Sequence, residues 1–195
     1  MINLSERQET HEQWKKNKVI NQIIRDTWNS SKEELQTDDN DIGAITMHRM
    51  LISKNYYKVP YGKKGESNLK KSGCAVFCFQ QGLRIRGIEC DMISLAKEVS
   101  KKGYYELGKG TYHNLFDHYG LRRATHVSEV FAALKQKHLV TMLVDYENHN
   151  DLEEGHFLNI VGKKRSKFIV DNPEEGRMEI PIIKIIEASE IAWIW

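Results

Sequence analysis

The chain has 195 residues, 40% hydrophobic and 29% charged, with 29 basic side chains against 27 acidic ones. That length suits one main domain with a buried core, and the near-balance of charge withholds the basic footprint that nucleic-acid binding requires. No run approaches the roughly 18 consecutive apolar residues of a membrane span, and the N-terminus lacks the apolar centre of a secretory signal, so the expected location is the cytoplasm.

Residues 5–27 place Trp14, Val19, Ile20, Ile23 and Ile24, with Trp28 just beyond, near helical spacing, which predicts an amphipathic helix. Lys15, Lys16 and Lys18 make its other face a solvated one, with a partner surface as the alternative. Asn29–Gly43 is polar and acidic and reads as a linker. The chain thus divides into residues 1–41, helix and linker, and residues 42–195, the main domain. Ile42–Leu51 reads as a short helix, and Asn55–Asn68 as strand-like sequence broken by Pro60 and by glycines.

Two helices are expected within Cys90–Gly103 and Gly110–Leu121, with Gly103 and Gly120 where C-caps fall. A third, in Val127–His138, starts at a cap-like Ser128 and leads into "LVTMLVDY", a continuous apolar strand. After the polar insertion "NHNDLEEG", His156–Gly162 and Lys167–Pro173 read as short strands joined by a turn. Gly176–Trp195 reads as a closing strand with a terminal apolar edge. Helices first and an antiparallel run of strands after them define an α+β fold.

Cys74, Cys78 and Cys90 are too few and too irregular for a disulfide framework. A lone cysteine is usually a small core residue, but Cys74 follows Gly73 at the start of an apolar helical stretch, where unpaired amides and the helix dipole favour a thiolate. A thiolate needs a base, and His156, opening a strand directly after Gly155, is the candidate. The imidazole needs an orienting acceptor, which Asp171 or Asn172 can supply; adjacent strand residues point to opposite faces, so only one of them can meet His156. Cys78, one helical turn after Cys74, and Cys90 read as packing residues, as do His113 and His118. No compact second pair of ligands follows Cys74 and Cys78, so neither metal nor cofactor is expected.

In order and spacing these motifs resemble the bacteriocin-processing, or double-glycine, peptidases and their stand-alone relatives, which are papain-like cysteine peptidases. The likeness rests on Gly73-Cys74, on Gly110-Thr111 with Tyr119-Gly120-Leu121, on "EVFAALKQKHLVTMLVD", on "GHFLNIVG" and on "NPEEG", and it spans roughly residues 57–180. It implies a papain-like fold, with N-terminal helices packed on a C-terminal antiparallel sheet, and a peptide or protein substrate. It also implies Cys74 as nucleophile, His156 as base and then acid, and Asn172 as orienting residue because it precedes Pro173, with Asp171 as the alternative. The family carries Gln six residues before the nucleophile to help bind the oxyanion; this chain has Asn68 there, beside the Cys74 backbone amide. Leader-peptide cleavage after Gly-Gly is that family's best-known activity. Two other readings keep the fold: a peptide-binding module with a degraded triad, and an acyl transferase or deamidase using the same thioester.

Overall fold

The computed structural model describes residues 18–33, 40–45, 49–108, 110–145 and 155–195. Helix α1 spans Lys18–Lys32; a 3₁₀ turn at Ser53–Tyr56 and the paired two-residue strands β1 (Pro60–Tyr61) and β2 (Ser67–Asn68) follow. Next come α2 (Leu69–Ser72), α3 (Cys74–Ile85), α4 (Met92–Lys101), β3 (Tyr105–Glu106), β4 (Gly110–Thr111), α5 (Asn114–His118), β5 (Arg122–Arg123) and α6 (Val127–Lys135). The chain then forms β6 (Val140–Val144), β7 (His156–Lys164), β8 (Lys167–Asn172), β9 (Gly176–Pro181), α7 (Ile182–Ala188) and β10 (Ser189–Ile194). Among the described residues no helix is long and apolar enough to cross a membrane.

The main sheet is antiparallel and six-stranded, in the order β5-β10-β6-β7-β8-β9. Its period-two alternation feeds two cores. Phe157 and Val161 of β7 join Phe77, Phe79, Phe116 and Trp193 on one side, with α3. Leu158 and Ile160 join Trp28, Val130, Leu134 and Ile185 on the other. Helices thus cover both faces, which is why β6 is buried at every position and apolar at nearly all. Helix α3 is apolar almost all round, with Ala75, Val76, Phe77, Cys78, Phe79 and Leu83 buried, as a helix inside a core must be.

The structure departs from the sequence reading in several places. The stretch Asn29–Gly43, expected to be linker throughout, continues α1 as far as Lys32. Trp28 is buried with its indole Nε1–H 3.4 Å from the Ser189 carbonyl, and the Ser31 hydroxyl accepts the Val127 N–H at the start of α6. That contact supplies the cap expected of Ser128, since α6 begins one residue earlier, at Val127. Ile42–Leu51 was expected to be helical, yet residues 42–45 and 49–50 are not. Ile42 exchanges both backbone hydrogen bonds with Lys163 at 2.8 Å, and the Ile45 N–H donates to Val161 at 2.8 Å, so the sheet has taken the donors a helix would need. Gly162 makes room for this segment: a Cβ there would lie 2.8 Å from Ala44 Cα. The last segment holds a helix, α7, and β10 is interior, between β5 and β6, because Ile191 and Trp193 face one core and Ala192 the other. The N-terminal part of the expected first helix, with Trp14, Lys15 and Lys16, lies outside the described residues, as do residues 46–48 and most of "NHNDLEEG".

Candidate active site

Two short pieces of backbone place Cys74. Asn68 caps α2, its Oδ1 accepting the Lys71 N–H at 3.0 Å. The chain then turns through Gly73 directly into α3, and a Cβ on Gly73 would sit 2.4 Å from the Leu69 carbonyl oxygen, so only glycine lets one helix follow the other this closely. Cys74 becomes the first residue of a 12-residue helix. The turn is braced from β4: the Thr111 hydroxyl donates to the Ser72 carbonyl at 3.1 Å and accepts from the Tyr61 hydroxyl at 2.6 Å. This is a local reason for the Gly-Thr motif noted in the sequence.

His156 opens β7 and is 9% exposed. Its Nε2 lies 3.0 Å from Asn172 Oδ1. That oxygen also accepts the Glu174 N–H at 2.9 Å, which fixes the amide with oxygen toward the imidazole, so Nε2–H is the donor. With Nε2 so occupied, Nδ1 is the ring nitrogen left for the other partner of His156, the Cys74 thiol. The turn that carries Asn172 is held in place by the Ser53 N–H, which donates to the Pro173 carbonyl at 2.7 Å.

Burial pushes the His156 pKa down, but the hydrogen bond with Cys74, the charge of that thiolate, the bond to Asn172 and the charge of Glu174 together raise it above its ordinary value. The folded protein therefore holds the imidazolium to higher pH than the unfolded chain does. Its contribution to stability is full below the unfolded value of about 6.5 and is lost as pH rises through the folded value. Thermal melts of wild type and His156→Gln from about pH 5.5 to about pH 9 check this. The gap between them is expected to be widest at the acid end and to narrow as pH rises; a gap that widens instead contradicts the assignment.

Asp171, the alternative acceptor, does not face His156. It is 1% exposed, forked by Arg177 (Nε to Oδ1 2.7 Å, Nη2 to Oδ2 2.8 Å), and accepts from Gln81 Nε2 at 2.6 Å. Strand alternation separates it from Asn172 as the pleat requires. For Asn68, the cap uses the amide oxygen; the amide nitrogen is the end an oxyanion would need. All three cysteines are free, and burial pushes the Cys78 thiol well up, so it stays protonated. Among the described residues no group of His, Cys, Asp or Glu is arranged to hold a metal. Beside His156 and Asn172 lies a cavity of about 360 Å³, lined also by Glu174, Glu175, Met178 and Pro181. Arg177, Gln81, Thr111 and Glu174 went unassigned in the sequence, since their roles arise from contacts between distant segments; "NPEEG" and Gly-Thr marked two of them without naming a task.

No family model matches the sequence, and no curated protein matches it. Among solved structures, it is similar to a crystal structure from Bacillus anthracis that is provisionally named a C39-like peptidase. The identity is 15% and the TM-score 0.57, over 80% of this chain and 98% of that one. The likeness is one of fold: helices on a mixed helix and antiparallel-sheet frame, over nearly the whole of the other chain.

Proposed function

We propose that the chain is a papain-like cysteine peptidase in which Cys74 is the nucleophile, His156 the base and acid, and Asn172 the orienting residue. One observation carries the reading: a buried imidazole paired at one nitrogen with an oriented amide oxygen and hydrogen-bonded to a thiol at a helix N-terminus. The name of the fold neighbour and the order of motifs in the sequence support the same class.

In this reading the Cys74 thiolate attacks a substrate carbonyl carbon and the carbonyl electron pair moves onto oxygen. The oxyanion is met by the Cys74 backbone N–H and by the Asn68 side-chain amide. Collapse breaks the C–N bond as the His156 imidazolium gives its proton to the leaving amine, leaving a thioester on Cys74. Water gives a proton to His156 and attacks the thioester; the thiolate leaves and the thiolate–imidazolium pair is restored. An amine in place of water would make the same thioester a transfer reaction.

The test is incubation of the full chain with a mixed-sequence peptide library, followed by mass analysis, with Cys74→Ala as the blank. Wild type is expected to yield peptides with new termini and Cys74→Ala none. Ligated products, or products about one mass unit heavier with no cut, reassign the chemistry to transfer or deamidation. An unchanged library, together with no iodoacetamide labelling of Cys74 near neutral pH, overturns the enzyme reading and leaves a peptide-binding module.

A further inference from the structure

We propose that a buried polar row across the sheet, docked from α3 by Gln81, fixes the nucleophile helix against the two strands that carry His156 and Asn172, and that Gln81 and Asn159 are positioning residues for the reaction. The inference rests on the peptidase reading and concerns how its parts are held together.

The row follows from strand register. Trp193 of β10 is directly opposite Thr141 of β6, Thr141 opposite Asn159 of β7, Asn159 opposite Asp171 of β8, and Asp171 opposite Arg177 of β9. Residues directly opposite share a face, so the polar members of the row point to the same side as α3. Thr141 and Asn159 are 0% exposed. Polar groups this deep are costly unless every donor and acceptor is met, and here they are met in a chain. Trp195 Nε1–H donates to Thr141 Oγ1 at 2.8 Å, and Thr141 donates to Asn159 Oδ1 at 2.6 Å. Asn159 Nδ2 donates to Gln81 Oε1 at 2.8 Å and to the Cys78 carbonyl at 3.0 Å. Gln81 Nε2 donates to Asp171, and the Arg177 fork closes the far end.

Each of the three elements holding the candidate triad contributes to this chain near its own catalytic member. Gln81 and Cys78 lie on the same face of α3 as Cys74, at helical spacing. Asn159 is on β7 with His156, and Asp171 precedes Asn172 on β8. Apolar packing tolerates sliding, since burial energy has little direction; a fully satisfied hydrogen-bond chain in a low dielectric accepts one register only. The row therefore sets where Cys74 sits along the sheet, and a misplacement of about 1 Å at a reacting centre costs on the order of 100-fold.

The experiment reads the pH profile of iodoacetamide alkylation at Cys74, located by peptide mass, in the full chain. Wild type is expected to keep a reactive limb below pH 7, the signature of a thiolate held by an imidazolium. Gln81→Met keeps the side-chain length and removes the hydrogen bonds to Asn159 and Asp171. It is expected to slow alkylation at about pH 6 by tenfold or more. A merely structural role would lower the melting temperature and leave the profile of the folded protein in place. Arg177→Gln, at the part-exposed outer end of the chain, loosens the row without opening the core and carries the test if Gln81→Met does not fold. A folded variant of either kind whose profile overlays wild type overturns the positioning inference alone. A wild type with no reactive limb below pH 7 overturns the peptidase reading on which it rests.

Discussion

Replacing His156 by alanine is expected to cut kcat/KM on any peptide that the wild type cleaves by on the order of 10³, within the 10²–10⁴ range typical of a positioned general acid–base. The loss has two sources in the same ring. Without the ring, Cys74 loses the partner that takes up its proton. Without the proton donor, the leaving amine must depart as a poor leaving group. Asn172→Ala removes the bond that orients the ring at Nε2, together with the turn bond from the Glu174 N–H. The bond to the ring, charge-assisted when the imidazole is protonated and worth about 1.5–2 kcal/mol, corresponds to a loss of roughly 10- to 30-fold. The ordering matters more than either figure. An Asn172→Ala loss as large as that of His156→Ala would mean that the asparagine does more than orient, and equal, small losses in both would remove His156 from the chemistry.

The second large effect concerns stability. Gly82→Ala is expected to lower the melting temperature by roughly 5–10 °C, through an overpacking cost of about 2–3 kcal/mol. A Cβ at Gly82 would lie 2.2–2.4 Å from three atoms of the Trp195 indole. That ring has little freedom to withdraw. Its Nε1–H is bonded to Thr141, its backbone N–H to the Leu139 carbonyl at 3.0 Å, and it packs against Phe79, Phe116 and Tyr119 with Arg86 over its face. Gly87→Ala is the comparator, because that glycine has a φ of 76° and open space where a Cβ would go. It carries only the left-handed backbone penalty of about 1–2 kcal/mol. Differential scanning calorimetry separates the two; a Gly82→Ala melt no lower than that of Gly87→Ala would mean that α3 can shift away from the indole, against the tight packing described.

The parts of the fold that were legible in the sequence are those written in local periodicity. The helix within Cys90–Gly103 is α4, and Gly103 and Gly120 take φ values of 83° and 84°, as helix-ending glycines do. The apolar run after Leu139 is β6, and the two short strands expected after the polar insertion are β7 and β8. Motif order in the sequence pointed to Cys74, His156 and Asn172 together; the structure puts His156 Nε2 on Asn172, and the choice between Asp171 and Asn172 reduces to which way a pleat turns. What could not be read was anything that depends on register between distant strands. Nothing in the sequence sets Thr141 and Asn159 apart from their apolar neighbours, and only their alignment opposite each other turns them into a row. The placement of Ile42, taken for helix, was likewise decided by a strand edge far along the chain, at Lys163.

The Asn172–Pro173 step has a consequence for the durability of the site. Asparagine ages by attack of the next residue's backbone nitrogen on its side-chain carbonyl, closing a five-membered imide that opens to aspartate or isoaspartate. Proline's nitrogen bears no hydrogen and is already fully substituted, so that ring cannot close by the usual route. The Asn172 amide is therefore shielded by its neighbour from the chemical clock that erodes exposed asparagines. Glu174 N–H and His156 each hold its carbonyl oxygen, which keeps the side chain out of the attacking conformation as well. A side-chain amide set before proline is thus spared the main route by which asparagine becomes aspartate.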